Sequence, residues 1–142
     1  MAARRTERAR IAAAAAIALT AAAAPGLPAV AADGDPARGA RVFLHCYSCH
    51  SVDPNESATL SGPTLWRIVG RRAGAVAGFD YSEALAARAA AGLSWTEAAL
   101  DAFIADPQAA MPGVAMGFFG IPDAGQRADL IAYLRRAGEA SP

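Results

Sequence analysis

Apolar positions follow two patterns along the 142-residue chain. From Ile11 to Ala24 they are nearly continuous and mostly alanine; from residue 36 onward they recur at helical spacings. Asp35-Pro36 sets an N-cap residue before a proline at the first helical position, which predicts a helix to about Cys46. Gly39, Val42 and Phe43 share its buried face. The stretch Ser51–Phe79 is broken by Pro54, Gly62-Pro63, Gly70, Gly74 and Gly78 and reads as loop. Ser82–Ala91 is alanine-rich and stops at Gly92, a C′ glycine. Ser94-Trp95-Thr96-Glu97 matches a capping box and opens a helix to about Asp106. Within it, Ala99 pairs with Phe103 and Leu100 with Ile104. Pro107 ends that helix, and the prolines and glycines of residues 107–122 predict an irregular loop. Asp123 then caps a last helix to about Gly138, with Ala124, Ala128, Ile131 and Leu134 on one face. Strand signals are weaker and no internal repeat is visible. The pattern predicts an all-α domain of about four helices and long loops.

The first apolar run belongs to a different object. Arg4, Arg5, Arg8 and Arg10 precede it against the single acid Glu7. Pro25-Gly26 breaks it, and Ala29-Val30-Ala31, or Val30-Ala31-Ala32, offers the small residues a signal peptidase reads. Basic start, short apolar middle and small-residue exit describe a secretory signal peptide over residues 1–31, cleaved near 31–32. The run is too short for a stop-transfer helix; an uncleaved anchor is the alternative. Arg4-Arg5 invites a twin-arginine reading, but Thr6-Glu7 follows where that signal wants apolar residues. The expectation is a periplasmic domain, residues 32–142, that does not span the membrane once the signal is removed.

Composition changes meaning once the chain is divided. Hydrophobic residues make up 54%, inflated by the alanines of the first segment. Thirteen basic residues, all arginine, balance 13 acids. Removing the signal leaves nine arginines and twelve acids, a net charge of −3. Nothing here offers the basic surplus that nucleic-acid binding needs, and the chain is too apolar for disorder. Two cysteines make no disulfide scaffold. The core is thin for about 110 residues, and a large internal ligand would fill the deficit.

Cys46-Tyr47-Ser48-Cys49-His50 carries the chemistry. Two thiols three apart on a helical turn can add across the two vinyl groups of a haem, with His50 then beneath the iron. A thioredoxin-like dithiol would want a βαβ setting that the pattern lacks. A zinc site would need a second ligand pair, and the other histidine, His45, adjoins Cys46. A second axial ligand has two candidates in the 107–122 loop, Met111 and Met116, and the residues alone leave the choice open. His45 is too close to Cys46 to reach the opposite haem face.

Over most of Gly34–Ala137 the sequence resembles the class I, Met/His-ligated c-type cytochromes in their bacterial soluble form. Gly34-Asp35, Gly39 and Phe43 match the family's first helix, and Gly62-Pro63-Thr64-Leu65 with Gly70-Arg71 the loop beneath the haem. Gly78–Ser82, Leu93-Ser94-Trp95, Asp106-Pro107, Pro112–Met116, Phe118–Ile121 and Arg127–Leu134 match its later elements. The resemblance implies a class I cytochrome c fold around one haem c, held covalently through two thioethers. It selects Met116, four residues after Pro112, as the second ligand and puts Met111 at an aliphatic core position. It further implies that the Pro63 carbonyl accepts from His50, that Tyr81 and Trp95 donate to a haem propionate, and that Arg71 lies near it. The plainer readings are a core Trp95 and an exposed Arg71. Gly39 and Phe43 should meet Leu130 and Tyr133 where the first and last helices cross. Three residues depart from the pattern: Phe103 for a tyrosine, Val114 for a threonine and Leu85 for an asparagine. Together they make the methionine side unusually dry.

Two strong axial ligands leave no open position, so the chemistry implied is one-electron transfer rather than catalysis. The expectation is a monomeric periplasmic carrier between membrane or periplasmic oxidoreductases, with no nucleic-acid partner. Its rivals are a haem enzyme or gas-binding protein with an open sixth position, and a haem subunit fixed to one dehydrogenase. The lack of lysine predicts docking through apolar contact, scattered arginines or an acidic patch.

Overall fold

The computed structural model describes residues 33–56 and 58–139. The segment read as a signal peptide, residues 1–31, lies outside them. Five α-helices follow in order: α1 (Pro36–Val42), α2 (Glu83–Ala90), α3 (Glu97–Ala105), α4 (Pro107–Ala110) and α5 (Ala124–Glu139). Among the described residues β-structure amounts to one isolated bridge, Arg72 to Ser94, so the all-α expectation holds. No helix among them is long and apolar enough to cross a membrane.

The Asp35 carboxylate caps α1 by accepting from Ala37 N (2.7 Å) and Arg38 N (3.3 Å), with Pro36 in the first turn. The helix is shorter than the pattern predicts. After Val42 the chain tightens into a 3₁₀ turn, Phe43–His45, whose Phe43 carbonyl accepts from both Cys46 N and Tyr47 N. Such tightening satisfies carbonyls that an α-helix end leaves bare. It also starts the turn that carries Cys46 to His50.

α2 begins at the expected cap, Ser82, and ends in a Schellman motif. Leu93 N reaches Arg88 O, Gly92 N reaches Ala89 O, and Gly92 takes a φ of +89°. α3 is capped by Thr96, whose hydroxyl accepts from Ala99 N at 3.1 Å, and not by Ser94 as the capping-box reading has it. The reason is competition. Ser94 is held in the bridge, where Trp95 N donates to Arg71 O and Gly70 N to Trp95 O, both at 2.8 Å. This bridge sews the long loop to the start of α3. Pro107 also acts differently from the expectation. With Asp106 accepting from Ala109 N at 3.0 Å, it opens the short helix α4, and the irregular stretch begins only at Met111.

α5 is the longest element, capped by Asp123 Oδ1 on Gln126 N at 2.7 Å. α1 crosses it where a Cβ on Gly34 would strike the Ala128 carbonyl and one on Gly39 the Asp129 carbonyl. The expected crossing of Gly39 and Phe43 with Leu130 and Tyr133 is present: the Phe43 and Tyr133 rings lie 5.3 Å apart, and Leu130 is fully buried. One feature of the crossing has no counterpart in the sequence reading. Asp129 is buried, accepting from Asp35 N (2.7 Å), Arg38 Nε (2.7 Å) and Arg38 Nη2 (2.9 Å). α3 is clipped to α5 by Arg127–Asp101 and Arg135–Glu97, each at 2.7 Å. The remaining core, Ile68, Trp95, Leu100, Ile104, Ile121 and Leu134, lies between this frame and the long loops.

Candidate functional site

Frame and loops enclose a cavity of about 440 Å³. That is within the ~300–1,000 Å³ of small-molecule and cofactor sites. Its walls are largely apolar: Leu65, Ile68, Leu85, Leu100, Phe103, Ile104, Val114, Phe118, Leu130 and Leu134. The polar and sulfur groups are few. Cys46, Cys49, His50, Pro63, Arg71, Tyr81, Trp95 and Met116, every site residue singled out in the sequence, line this one cavity.

His50 Nδ1 stands 2.7 Å from the Pro63 carbonyl oxygen. A carbonyl only accepts, so the ring donates from Nδ1 and keeps its lone pair on Nε2. Burial lowers the His50 pKa below the ordinary imidazole value, and the bond to Pro63 partly opposes it. The ring lies directly against Gly62, where any Cβ would fall on the imidazole atoms. Glycine is therefore required there, a role that the sequence reading missed although Gly62-Pro63 marked the loop.

The two thiols differ. Burial, then the neighbouring Cys49, pushes the Cys46 thiol up to about 11. Hydrogen bonds from Ser61 and then Ser48 hold the exposed Cys49 thiol below its usual value. Ser61 is a further neighbour that the sequence reading did not identify.

Met111 and Met116 are separated by burial. Met111 is a core residue, 4% exposed, and Met116 borders the cavity. Arg71 is partly buried and clamps its own loop: Nη2 donates to Thr64 O at 2.6 Å and Nη1 to Trp66 O at 2.9 Å. Burial lowers its pKa and the Tyr81 phenol opposes the shift. The Tyr81 hydroxyl accepts from Val76 N at 3.2 Å, which leaves its own proton to donate elsewhere. Trp95 is buried against Phe103, ring centroids 5.0 Å apart. Among the described residues no protein group accepts from its indole N–H.

Paired thiols, an imidazole of fixed tautomer, a thioether and apolar walls in one cavity are the donor set of a haem c. The cytochrome c family model matches residues 36–138, spanning all five helices and the whole cavity. The chain belongs to the cytochrome c family. It is 42% identical over 99 residues to cytochrome c-550 of Ancylobacter novellus, covering 70% of this chain and 92% of that protein. It is 43% identical over 98 residues to cytochrome c 2.1 of Caenorhabditis briggsae, covering 68% of this chain and 83% of that protein. Among solved structures, cytochrome c2 from Rhodospirillum centenum superposes with a TM-score of 0.67 at 37% identity, covering 72% of this chain and 98% of that one. As a member of this family the chain is an electron carrier with covalently bound haem c, and not an enzyme. The three departures also fall at the site: Phe103, Val114 and Leu85 all line the cavity.

Proposed function

We propose that this cytochrome is exported, loses residues 1–31, and works as residues 32–142 in the periplasm. There it would serve as a soluble, monomeric shuttle between membrane or periplasmic oxidoreductases. Cys46 and Cys49 would hold the haem through thioethers, and His50 and Met116 would bind its iron. When bound, the haem supplies a one-electron couple. The chain supplies the rest. The Pro63 carbonyl orients His50 and raises its basicity. Tyr81 and Trp95 offer O–H and N–H donors to a propionate, and Arg71 lends a fixed positive charge beside them. The apolar walls exclude water, so the site changes charge with little rearrangement around it.

The observation that carries this reading is the convergence of His50, with Nδ1 pinned, and Met116 on one apolar cavity. Two strong ligands leave no open position for a substrate. The test is the chain purified from a host able to attach haem c. A low-spin, six-coordinate spectrum, reversible one-electron reduction and an N-terminus near Ala32 are expected. Reduced protein that binds carbon monoxide without denaturation would sink the carrier reading.

A further inference from the structure

Among the described residues three large hydrophobic side chains stand exposed: Leu44 (63%), Tyr47 (61%) and Phe119 (100%). They do not scatter. Leu44 and Tyr47 flank Cys46, and Phe119 follows Phe118; Cys46 and Phe118 line the same cavity. The two segments that carry them share a second property. Residues 42–52 contain no Asp, Glu or Arg, and neither do residues 107–122. The formal charges of the domain all lie elsewhere.

The exposure of Phe119 is enforced by its neighbours. Ile121 is buried and its N–H donates to Ile104 O at 2.8 Å. Gly120, at φ +92°, lies so close to the Ala105 carbonyl that no Cβ fits. Phe118 turns to the cavity. With both sides anchored, Phe119 has no room to fold back and stays in water. A fully exposed aromatic at a cavity rim contributes nothing to folding and is the residue type that anchors interfaces.

We propose that this rim is an uncharged apolar docking face, and that its partner is a redox protein whose own docking surface is apolar and uncharged. The proposal rests on the carrier reading above and specifies its partner. A charged partner surface would lose hydration against this rim and find no counter-charge there. An apolar surface would bury Leu44, Tyr47 and Phe119 together.

The probe is the protein's own second copy, which presents the same kind of face. Electron self-exchange between oxidised and reduced holoprotein is measured by nuclear magnetic resonance line broadening across salt concentrations. At about 1 M salt, where the screening length is about 3 Å, contacts between charges fade and apolar ones remain. There Phe119→Ala should slow exchange about tenfold. Phe119→Leu should restore most of the rate, and Leu44→Ser should slow it about threefold. Each variant is first checked for an unchanged visible spectrum and reversible reduction. Normal redox cycling with exchange untouched by Phe119→Ala would overturn the docking face alone. So would a wild-type rate that falls steeply with salt, the mark of a charged contact. Failure of the wild type to cycle would overturn the carrier reading, and the docking face with it.

Discussion

Gly39→Ala sets two known effects against each other at the crossing of α1 and α5. Alanine in place of glycine inside a helix is favourable by about 1 kcal/mol through chain entropy. At residue 39 the added methyl would strike the Asp129 carbonyl oxygen and lie 2.7 Å from Tyr133 Cβ. Those atoms are the backbone and the root of a side chain on α5, so neither swings aside; the helices must separate. Overpacking of this kind costs about 1–3 kcal/mol, and the rigid obstacle puts Gly39 at the upper end. The net is a loss of about 1–2 kcal/mol, or about 5–10 °C in melting temperature for a domain this size. Gly125→Ala is the matched control. It also lies in a helix, but its methyl would meet only the Asp123 carboxylate, at 3.2 Å. Thermal unfolding of the two haem-loaded variants, followed by far-ultraviolet circular dichroism, compares them. A Gly39→Ala protein that melts at or above the wild type would show that the crossing is looser than the geometry requires, and the argument would fail.

Met116→Ala should remove the sulfur-to-iron absorption band and lower the reduction potential, while Met111→Leu leaves both alone; the opposite pattern would reverse the assignment. Met111→Ala should still cost about 2–5 kcal/mol in denaturant unfolding, as a core deletion. Asp129→Asn tests the buried carboxylate. The Arg38 hydrogen bond, and then that from Asp35 N, hold the folded Asp129 below its ordinary pKa. Its stabilisation is therefore complete above the unfolded value of about 3.9 and lost as pH falls through the folded one. The gap in melting temperature between wild type and Asp129→Asn should be full at pH 7 and close in acid; a gap constant with pH would exclude this linkage. Finally, the chain has no lysine, and arginine has no free lone pair to offer iron. Methionine ligation of the oxidised protein should then persist far into alkali, with hydroxide or the chain's α-amine as the eventual replacement. An amine-ligated alkaline form that survives blocking of the α-amino group would refute this.

The site was far more legible in the sequence than the elements that carry it. Cys46, Cys49 and His50 announce themselves because the covalent chemistry demands a fixed local spacing. Met116 does not. Its spacing to Pro112 is informative only beside a family pattern, since Met111 sits in the same loop and has the same side chain. What separates the two is burial, which arises from contacts distant in sequence. The helix ends slipped for a similar reason. Ser94 and Thr96 are both competent caps, and the choice was made by Arg71 and Arg72 across the bridge, more than 20 residues away. Asp129 looked like an ordinary polar position on the exposed side of α5. Only the crossing with α1, which brings Asp35 and Arg38 to it, makes its burial affordable in free energy.

The short helix α4 explains how the methionine side tolerates its lack of hydroxyls. Hydroxyl groups at residues 103 and 114 would have given the cavity polar atoms; Phe103 and Val114 give none. The backbone of the loop still carries polar groups, and these need partners away from the cavity. α4 provides one. Because Pro107 starts a helical turn there, Gln108 is held beside the loop, and its Nε2 donates to Val114 O at 2.9 Å. The same carbonyl accepts from Met116 N at 3.0 Å. Both lone pairs of Val114 O are thereby used within the protein, and its side chain is left to face the cavity. The loop can then present Met116 from an apolar wall without leaving a bare carbonyl behind it. Such a wall disfavours extra positive charge at the centre that it encloses, which favours the reduced state. The three departures from the family pattern, together with Gln108, therefore act in one direction, towards a more oxidising carrier than one with hydroxyls at the same positions.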